Sequence, residues 1–194
     1  MKHLCHTTLD TPLGTVLIAR NAEGLSGLWF EGQKYHPGTL TAPRRDDDAL
    51  LTEAVIHLCD YFAGKPLRVL PVSPSGTPFQ QAVWRALLTI PAGTTLSYGE
   101  LARRAGRPDA VRAVAAAVGR NPVSVIIPCH RVLGADGALT GYAGGLPRKQ
   151  ALLRLEGACR ETTASAPVTA TASSARSRTA LSSSLNFGAF FEAT

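Results

Sequence analysis

The stretch SYGELARRAGRPDAVRAVAAAVG, residues 97–119, decides how the second half of the chain folds. Ser97 stands three residues before Glu100, the spacing of a capping box, and the helix so begun meets its stop at Gly106. Pro108 and Asp109 open a second helix that ends before Asn121 and Pro122. Two short helices joined by Gly-Arg-Pro fit a helix-turn-helix, and the spacing fits any αα-hairpin equally. The second helix carries Arg112 among Ala110, Ala113, Ala115, Ala116 and Ala117. Side chains that small permit either close approach to a ligand or tight packing on a neighbouring helix.

Working outward, TPFQQAVWRALLTI (77–90) repeats the capping device with Thr77 and Gln80, places Pro78 at the first helical position, and turns Phe79, Val83, Leu87 and Ile90 to one face. Downstream, the apolar run of VSVIIPCHRVLG (123–134) reads as extended chain leading to Cys129. The glycine-rich GADGALTGYAGG (134–145) reads as a loop. PRKQALLRLEG (147–157) reads as a closing helix with Glu156 in its last turn.

The first half reads as a small α+β unit. TPLGTVLIA and LSGLWF are rich in β-branched and large apolar residues, and RNAEG between them supplies turn chemistry, so a hairpin is expected. DDDALLTEAVIHLCDYFAG follows as an amphipathic helix with acids at its N-terminus and Gly64 at its end. Pro66, Pro71 and Pro74 forbid a helix in the next stretch. A support domain is therefore expected over 1–76, a helical domain over 77–160, and a Ser/Thr/Ala-rich disordered tail over 161–194.

The charge is unevenly placed. Residues 1–78 hold 7 Lys/Arg against 8 Asp/Glu, whereas residues 79–160 hold 11 against 4, so the net charge of +6 arises in the middle segment. Such a segment is the footprint of an anionic partner, with nucleic acid the common case, or a basic surface that keeps the protein in solution. No apolar run approaches the ~18 residues of a spanning helix, and the first residues lack the apolar region of a secretory signal, so no membrane partner and a cytoplasmic location are expected. Cys5, Cys59, Cys129 and Cys159 are scattered singly, the pattern of reduced thiols.

Cys129 lies between Pro128 and His130. A free thiol with a pKa of ~8.5 is only a few per cent ionised at neutral pH, so a reactive one needs help. Neighbouring side chains of an extended chain point to opposite faces, so His130 reaches the sulfur only through a bend at Pro128 and Cys129 or through a bridging water. Glu156, the only acid of the closing helix, is the candidate to orient the imidazole. Cys129 and His130 alone fit a cysteine hydrolase as well, although nothing in the loop suggests an oxyanion site.

IPCHRV (127–132), the Asn121-Pro122 pair, SYGELA, the Arg112 helix, GYAGG (141–145) and LLRLEG together resemble the O6-alkylguanine-DNA alkyltransferase family, also called methylated-DNA:protein-cysteine methyltransferases. The resemblance covers residues 77–158 and extends more loosely to TPLG in the first half. It implies an α+β protein in which a ribonuclease H-like N-terminal unit precedes a winged helix-turn-helix-like DNA-binding and catalytic domain. The implied activity is a single-turnover repair in which Cys129 takes the alkyl group from guanine O6 and keeps it. The implied relay runs from Cys129 through a water to His130 and Glu156, while Tyr98 donates to guanine N3 and Asn121 braces the turn before the PCHR segment. Arg112 fills the place of the extruded base, with the helix-turn-helix in the minor groove. Tyr98, Gly99, Ala110, Val132, Tyr142 and Ala143 line the DNA or the base pocket.

The implied partner is double-stranded DNA carrying O6-alkylguanine, bound by a monomer without a cofactor; in a bacterium the protein would sit with the nucleoid. Some relatives hold zinc in the N-terminal domain. His3, Cys5 and His6 read here as a polar N-terminus, and no metal is expected. An alkyltransferase-like protein that binds lesions without repairing them is the alternative, and that group lacks the cysteine present here as Cys129.

Overall fold

A computed structural model describes residues 3–158. Its first sheet is an antiparallel meander of β1 (Cys5–Leu9), β2 (Val16–Arg20) and β3 (Leu25–Phe30). The expected hairpin is β2–β3, and its turn is set by Asn21, whose Oδ1 accepts from the backbone N–H of Glu23 (2.9 Å) and Gly24 (3.0 Å). β1 corrects the reading of His3, Cys5 and His6 as a polar terminus. It is an edge strand that buries Cys5 and Thr7, while His3 bonds Ser26 Oγ at 2.8 Å and meets Trp29 edge-on. Two inward residues, one of them polar, are too little alternation to announce a strand.

Helix α1 (Ala49–Phe62) packs on this sheet. Asp48 caps it by accepting from the N–H groups of Leu50 and Leu51, both at 3.1 Å, and the chain leaves it through Gly64 at φ +83°. In the second half, α2 (Pro78–Leu88) and α3 (Tyr98–Arg104) both begin with the expected capping boxes, Thr77 with Gln80 and Ser97 with Glu100. Val83, Leu87 and Ile90 are buried as the periodicity requires, and Trp84 joins them, its indole N–H donating to the Ala117 carbonyl at 2.9 Å. Helix α4 (Val111–Gly119) starts two residues later than Asp109 suggested. Ala110 is its N-cap and no side chain caps it, because residues 107–110 make a separate turn closed by Ala110 N–H to Arg107 C=O. Helix α5 (Leu146–Leu155) closes the described chain.

The two halves share backbone bonds and one core. Leu28 of β3 accepts from the Ser124 N–H (2.9 Å) and donates to the Pro122 carbonyl (2.8 Å), so the sheet edge ends on the segment that leads to Cys129. Ile18, Leu28, Phe30, Leu51, Leu87, Leu101 and Ile127, from both halves, belong to a continuous buried cluster. The tail expected over 161–194 and Cys159 lie outside the described residues.

Candidate active site

A short parallel pairing assembles the site. β4 (Leu96–Ser97) lies beside β5 (Val132–Leu133), with Leu96 opposite Val132 and Ser97 opposite Leu133. That register brings the start of α3, where Tyr98 sits, to the residues just after the PCHR segment.

The run 123–128 is not extended, which corrects the sequence reading. Asn121 winds it into a turn: its Oδ1 accepts from Val123 N–H at 3.0 Å, and its Nδ2 donates to Ile127 C=O at 2.8 Å. Val125 adopts φ +68°, a strained conformation for a β-branched residue, held in place by the bonds around it. Cys129–Arg131 then form a single 3₁₀ turn. Successive side chains of such a turn splay by about 120° rather than pointing to opposite faces, yet His130 Nδ1 makes no hydrogen bond to the Cys129 sulfur, so the bend by itself does not join the two. Asn121 Nδ2 also donates to Cys129 Sγ at 3.1 Å. The residue that braces the turn thus holds the sulfur.

His130 and Glu156 meet as expected, with His130 Nε2 at 3.0 Å from Glu156 Oε1. The Glu156 side chain is only 2 % exposed and has further partners. Arg131 donates to both its oxygens, at 2.8 and 2.7 Å, and the Tyr61 hydroxyl donates at 2.8 Å. Arg131 also donates to the Ile90 carbonyl. Burial alone would raise the Glu156 pKa, but hydrogen bonds and charge from His130 and Arg131 outweigh it and hold the carboxyl at about 2. His130 is wholly buried, and that burial lowers its pKa against the opposing pull of Glu156. A neutral imidazole donating Nε2–H to a carboxylate keeps its lone pair on Nδ1, and Nδ1 is buried without a protein partner. The arrangement leaves one poised base.

Cys129 is 3 % exposed, and burial pushes its pKa up to about 11, against the Asn121 donor and the charge of Lys149. At pH 7 on the order of one molecule in 10⁴ carries the thiolate. The resting thiol is therefore protonated, and its ionisation has to be coupled to loss of the proton to a neighbour.

The glycine-rich loop is tied to Tyr98 and Lys149, and Tyr98 and Tyr142 both feel the charge of Cys129. The Tyr98 hydroxyl donates to the carbonyls of Gly141 (3.1 Å) and Thr140 (3.4 Å), and a Cβ on Gly141 would stand 2.9 Å from that oxygen. Tyr142 has its hydroxyl buried, with Ser124 its nearest polar side chain. Ala143 C=O accepts from Lys34 N–H at 2.9 Å. Arg148 straps the loop to the first half, donating to Gly144 C=O (3.1 Å), Leu13 C=O (2.8 Å) and Glu31 C=O (3.3 Å) with its guanidinium 4.9 Å from the Phe30 ring centre. Two cavities of about 520 and 470 Å³ open elsewhere, one behind Glu156 and Arg131 and one beside Trp84, and Cys129 lines neither.

Of the remaining expected residues, Arg112 is exposed on α4, Gly99 and Ala110 are half-buried, and Val132 is buried in β5. Sequence reasoning missed Lys149. It is completely buried, and its ammonium donates to the carbonyls of Val132 and Thr140; burial lowers its pKa to about 8, opposed by the charge of Cys129. The signal was present, since Lys149, Leu152, Leu153 and Glu156 follow the i, i+3, i+4, i+7 spacing of a buried helix face. Tyr61 was also missed, and no local pattern links α1 to Glu156. Among the described residues no group of three His, Cys, Asp or Glu could hold a metal ion, and no helix is long and apolar enough to cross a membrane.

Two family models match this chain: the 6-O-methylguanine DNA methyltransferase DNA binding domain over residues 78–158, and the ribonuclease-like domain of the same proteins over residues 4–74. The chain belongs to the 6-O-methylguanine DNA methyltransferase family. Relatives within it include a methylated-DNA–protein-cysteine methyltransferase of Mycobacterium tuberculosis, 47 % identical over 153 residues that make up 78 % of this chain and 91 % of that protein. A protein of the same name from Methanosarcina acetivorans is 44 % identical over 159 residues, 79 % of this chain and 99 % of its own length. Among solved structures of the family, M. tuberculosis OGT in complex with DNA is similar with a TM-score of 0.70 and 44 % identity, covering 79 % of this chain and 92 % of that one. Every residue from Tyr98 to Glu156 discussed above falls within the matched DNA binding domain.

Proposed function

We propose that this chain is a single-turnover DNA-repair protein that moves an alkyl group, typically methyl, from guanine O6 in double-stranded DNA to its own Cys129. The observation that carries the reading is a sulfur held by Asn121 beside a His130–Glu156 pair, in a chain of the 6-O-methylguanine DNA methyltransferase family. In the reaction the Cys129 Sγ–carbon bond forms as the carbon–O6 bond breaks. The thiol proton passes to His130 Nδ1 through one water, and Glu156 stabilises the imidazolium. Tyr98 donates to N3 of the leaving guanine, where negative charge develops. The product thioether has no route back, so each molecule acts once.

The site as it stands is closed, and this sets a first step. Tyr98 gives its proton to the 140–141 carbonyls, so the glycine-rich loop must release that bond before the tyrosine can serve a base. One exposed hydrogen bond costs about 1 kcal/mol to exchange, small beside the few kcal/mol of extruding a base from the duplex. Helices α3 and α4 serve as a winged helix-turn-helix-like reader in the minor groove. Arg112 takes the place of the extruded base, and Ala110 and Gly99 allow close approach. Val132, Ala143 and Tyr142 line the base pocket. Residues 1–76 act as a ribonuclease H-like support domain for residues 77–160, and the protein works as a monomer in the cytoplasm or on the nucleoid. A lesion-binding role without repair is disfavoured because Cys129 is present.

The test is intact-mass spectrometry after incubation with a duplex carrying O6-methylguanine. A gain of one methyl located on Cys129 is expected; binding without that gain would overturn the reading. Arg112→Ala should slow transfer from duplex DNA by on the order of tens-fold, because the vacated stack is left unfilled, while transfer from a free O6-alkylated guanine base falls far less. Equal losses in single-turnover rates on the two substrates would remove the stacking role.

A further inference from the structure

We propose that the N-terminal unit carries a second contact to the DNA phosphate backbone, formed by Lys34 and Tyr35 together with Arg120 at the end of α4. The inference rests on the DNA reading above and adds to it a surface outside the helix-turn-helix.

Three observations converge. Arg112, Ala116 and Arg120 stand at i, i+4 and i+8, one face of α4, and all three are exposed. Eight residues of helix span about 12 Å, so the second arginine can meet a phosphate other than any that Arg112 engages. At that end the first half of the molecule supplies an aromatic ring: Tyr35 is 52 % exposed, with Lys34 Nζ 5.0 Å and Arg120 Cζ 5.7 Å from its centre. Neither cation makes an ion pair with a carboxylate of the described residues. Two positive groups therefore converge on one exposed ring with no negative partner, which suits an anion arriving from outside.

The backbone gives the third observation. Tyr35 adopts φ +63°, a left-handed conformation that a bulky residue avoids and that glycine would adopt without cost. Bonds on either side hold it: beyond Tyr35 the His36 N–H donates to the Gln33 carbonyl at 3.3 Å, and before it two anchors fix the chain. Gln33 is buried, with Oε1 accepting from Phe30 N–H (2.9 Å) and Ser124 Oγ (3.3 Å), and Lys34 N–H is tied to Ala143 C=O. The same bonds fix the patch beside the glycine-rich loop. Tyr35 lies outside the buried core, so nothing in the core accounts for its strained backbone, and an external contact would. Hydrogen bonding by Arg120, and then by Lys34, draws the Tyr35 phenol below its ordinary pKa, which marks how strongly positive the patch is.

The experiment measures affinity for an undamaged duplex across a salt series, by fluorescence anisotropy, for the unaltered chain, Lys34→Ala/Arg120→Ala, Tyr35→Gly and, in parallel, Arg112→Ala. The double variant is expected to weaken binding on the order of tenfold at low salt and to flatten the log K against log salt slope by about two, one for each phosphate that is no longer neutralised. Tyr35→Gly should weaken binding several-fold without lowering the melting temperature, since it keeps the left-handed backbone and removes the strain; a purely structural ring would show the reverse. Unchanged affinity and slope in the double variant overturn the proposal. If Arg112→Ala alone weakens binding, DNA recognition stands and this patch is not part of it; if no variant does, the DNA reading falls as well.

Discussion

Glu156→Gln is expected to lower the melting temperature by roughly 10 °C and to slow alkyl transfer by about 10²-fold or more. The first effect follows from what the carboxylate neutralises. Arg131, 8 % exposed, would become a buried cation without its counter-ion, and breaking such a pair from one side costs about 3–5 kcal/mol. In a domain of this size each kcal/mol is worth about 3 °C. The pH dependence has the same origin. The folded carboxyl sits at about 2, below the ~4.3 of an unfolded glutamate, so its stabilisation of about 3 kcal/mol is complete above pH ~5 and is lost as pH falls toward 2. Glu156→Gln should lack that acid limb in a melting-temperature profile. The second effect concerns His130, whose imidazolium would lose its stabilising charge at the moment the Cys129 proton arrives. A double variant, Glu156→Gln with Arg131→Met, separates the two: it should recover much of the stability and none of the rate. Recovery of both would reduce Glu156 to a structural residue.

How far the sequence announced this site depends on the range of each interaction. The capping boxes at Thr77 and Ser97, the stops at Gly64 and Gly106 and the Asn21 turn are local, and the structure holds each where the residue types place it. The bends around Cys129 were not legible. An apolar run bounded by prolines looks extended, and what turns it is the Asn121 side chain reaching across to Ile127 and Cys129, together with a left-handed Val125 that no propensity would suggest. The His130–Glu156 pair spans 26 residues; Glu156 was a candidate only as the lone acid of the closing helix, and the resemblance, not any spacing, joined it to His130. Tyr61 and Arg148 connect parts of the chain that only tertiary structure brings together. Lys149 differs from these. Its helical spacing placed it on the buried face beside Glu156, and it was passed over because a lysine is expected at the surface.

Lys149→Met is expected to cut transfer by about 10²-fold at pH 7.5 while moving the melting temperature by only a few degrees. Its ammonium is the cation that opposes the burial of Cys129, and without it the thiol pKa rises above about 11, so the thiolate becomes harder to reach. The effect on folding nearly cancels. A lysine held at about 8, against ~10.4 when unfolded, opposes folding at neutral pH by about 3 kcal/mol, and removing it relieves that cost. Against this, the carbonyls of Val132 and Thr140 lose their donor, at about 1–3 kcal/mol each. The unaltered protein should carry the mark of the same group in its single-turnover rate. The rate rises as His130 becomes a free base, through a pKa that burial holds below its ordinary value, and falls as Lys149 discharges above pH ~8. Stability moves the other way between pH ~8 and ~10.4, increasing as the folded state sheds the buried charge first. A rate that keeps climbing tenfold per pH unit through about 8–10, or a Lys149→Met protein that transfers as fast as the parent, would show that the sulfur ionises without this cation.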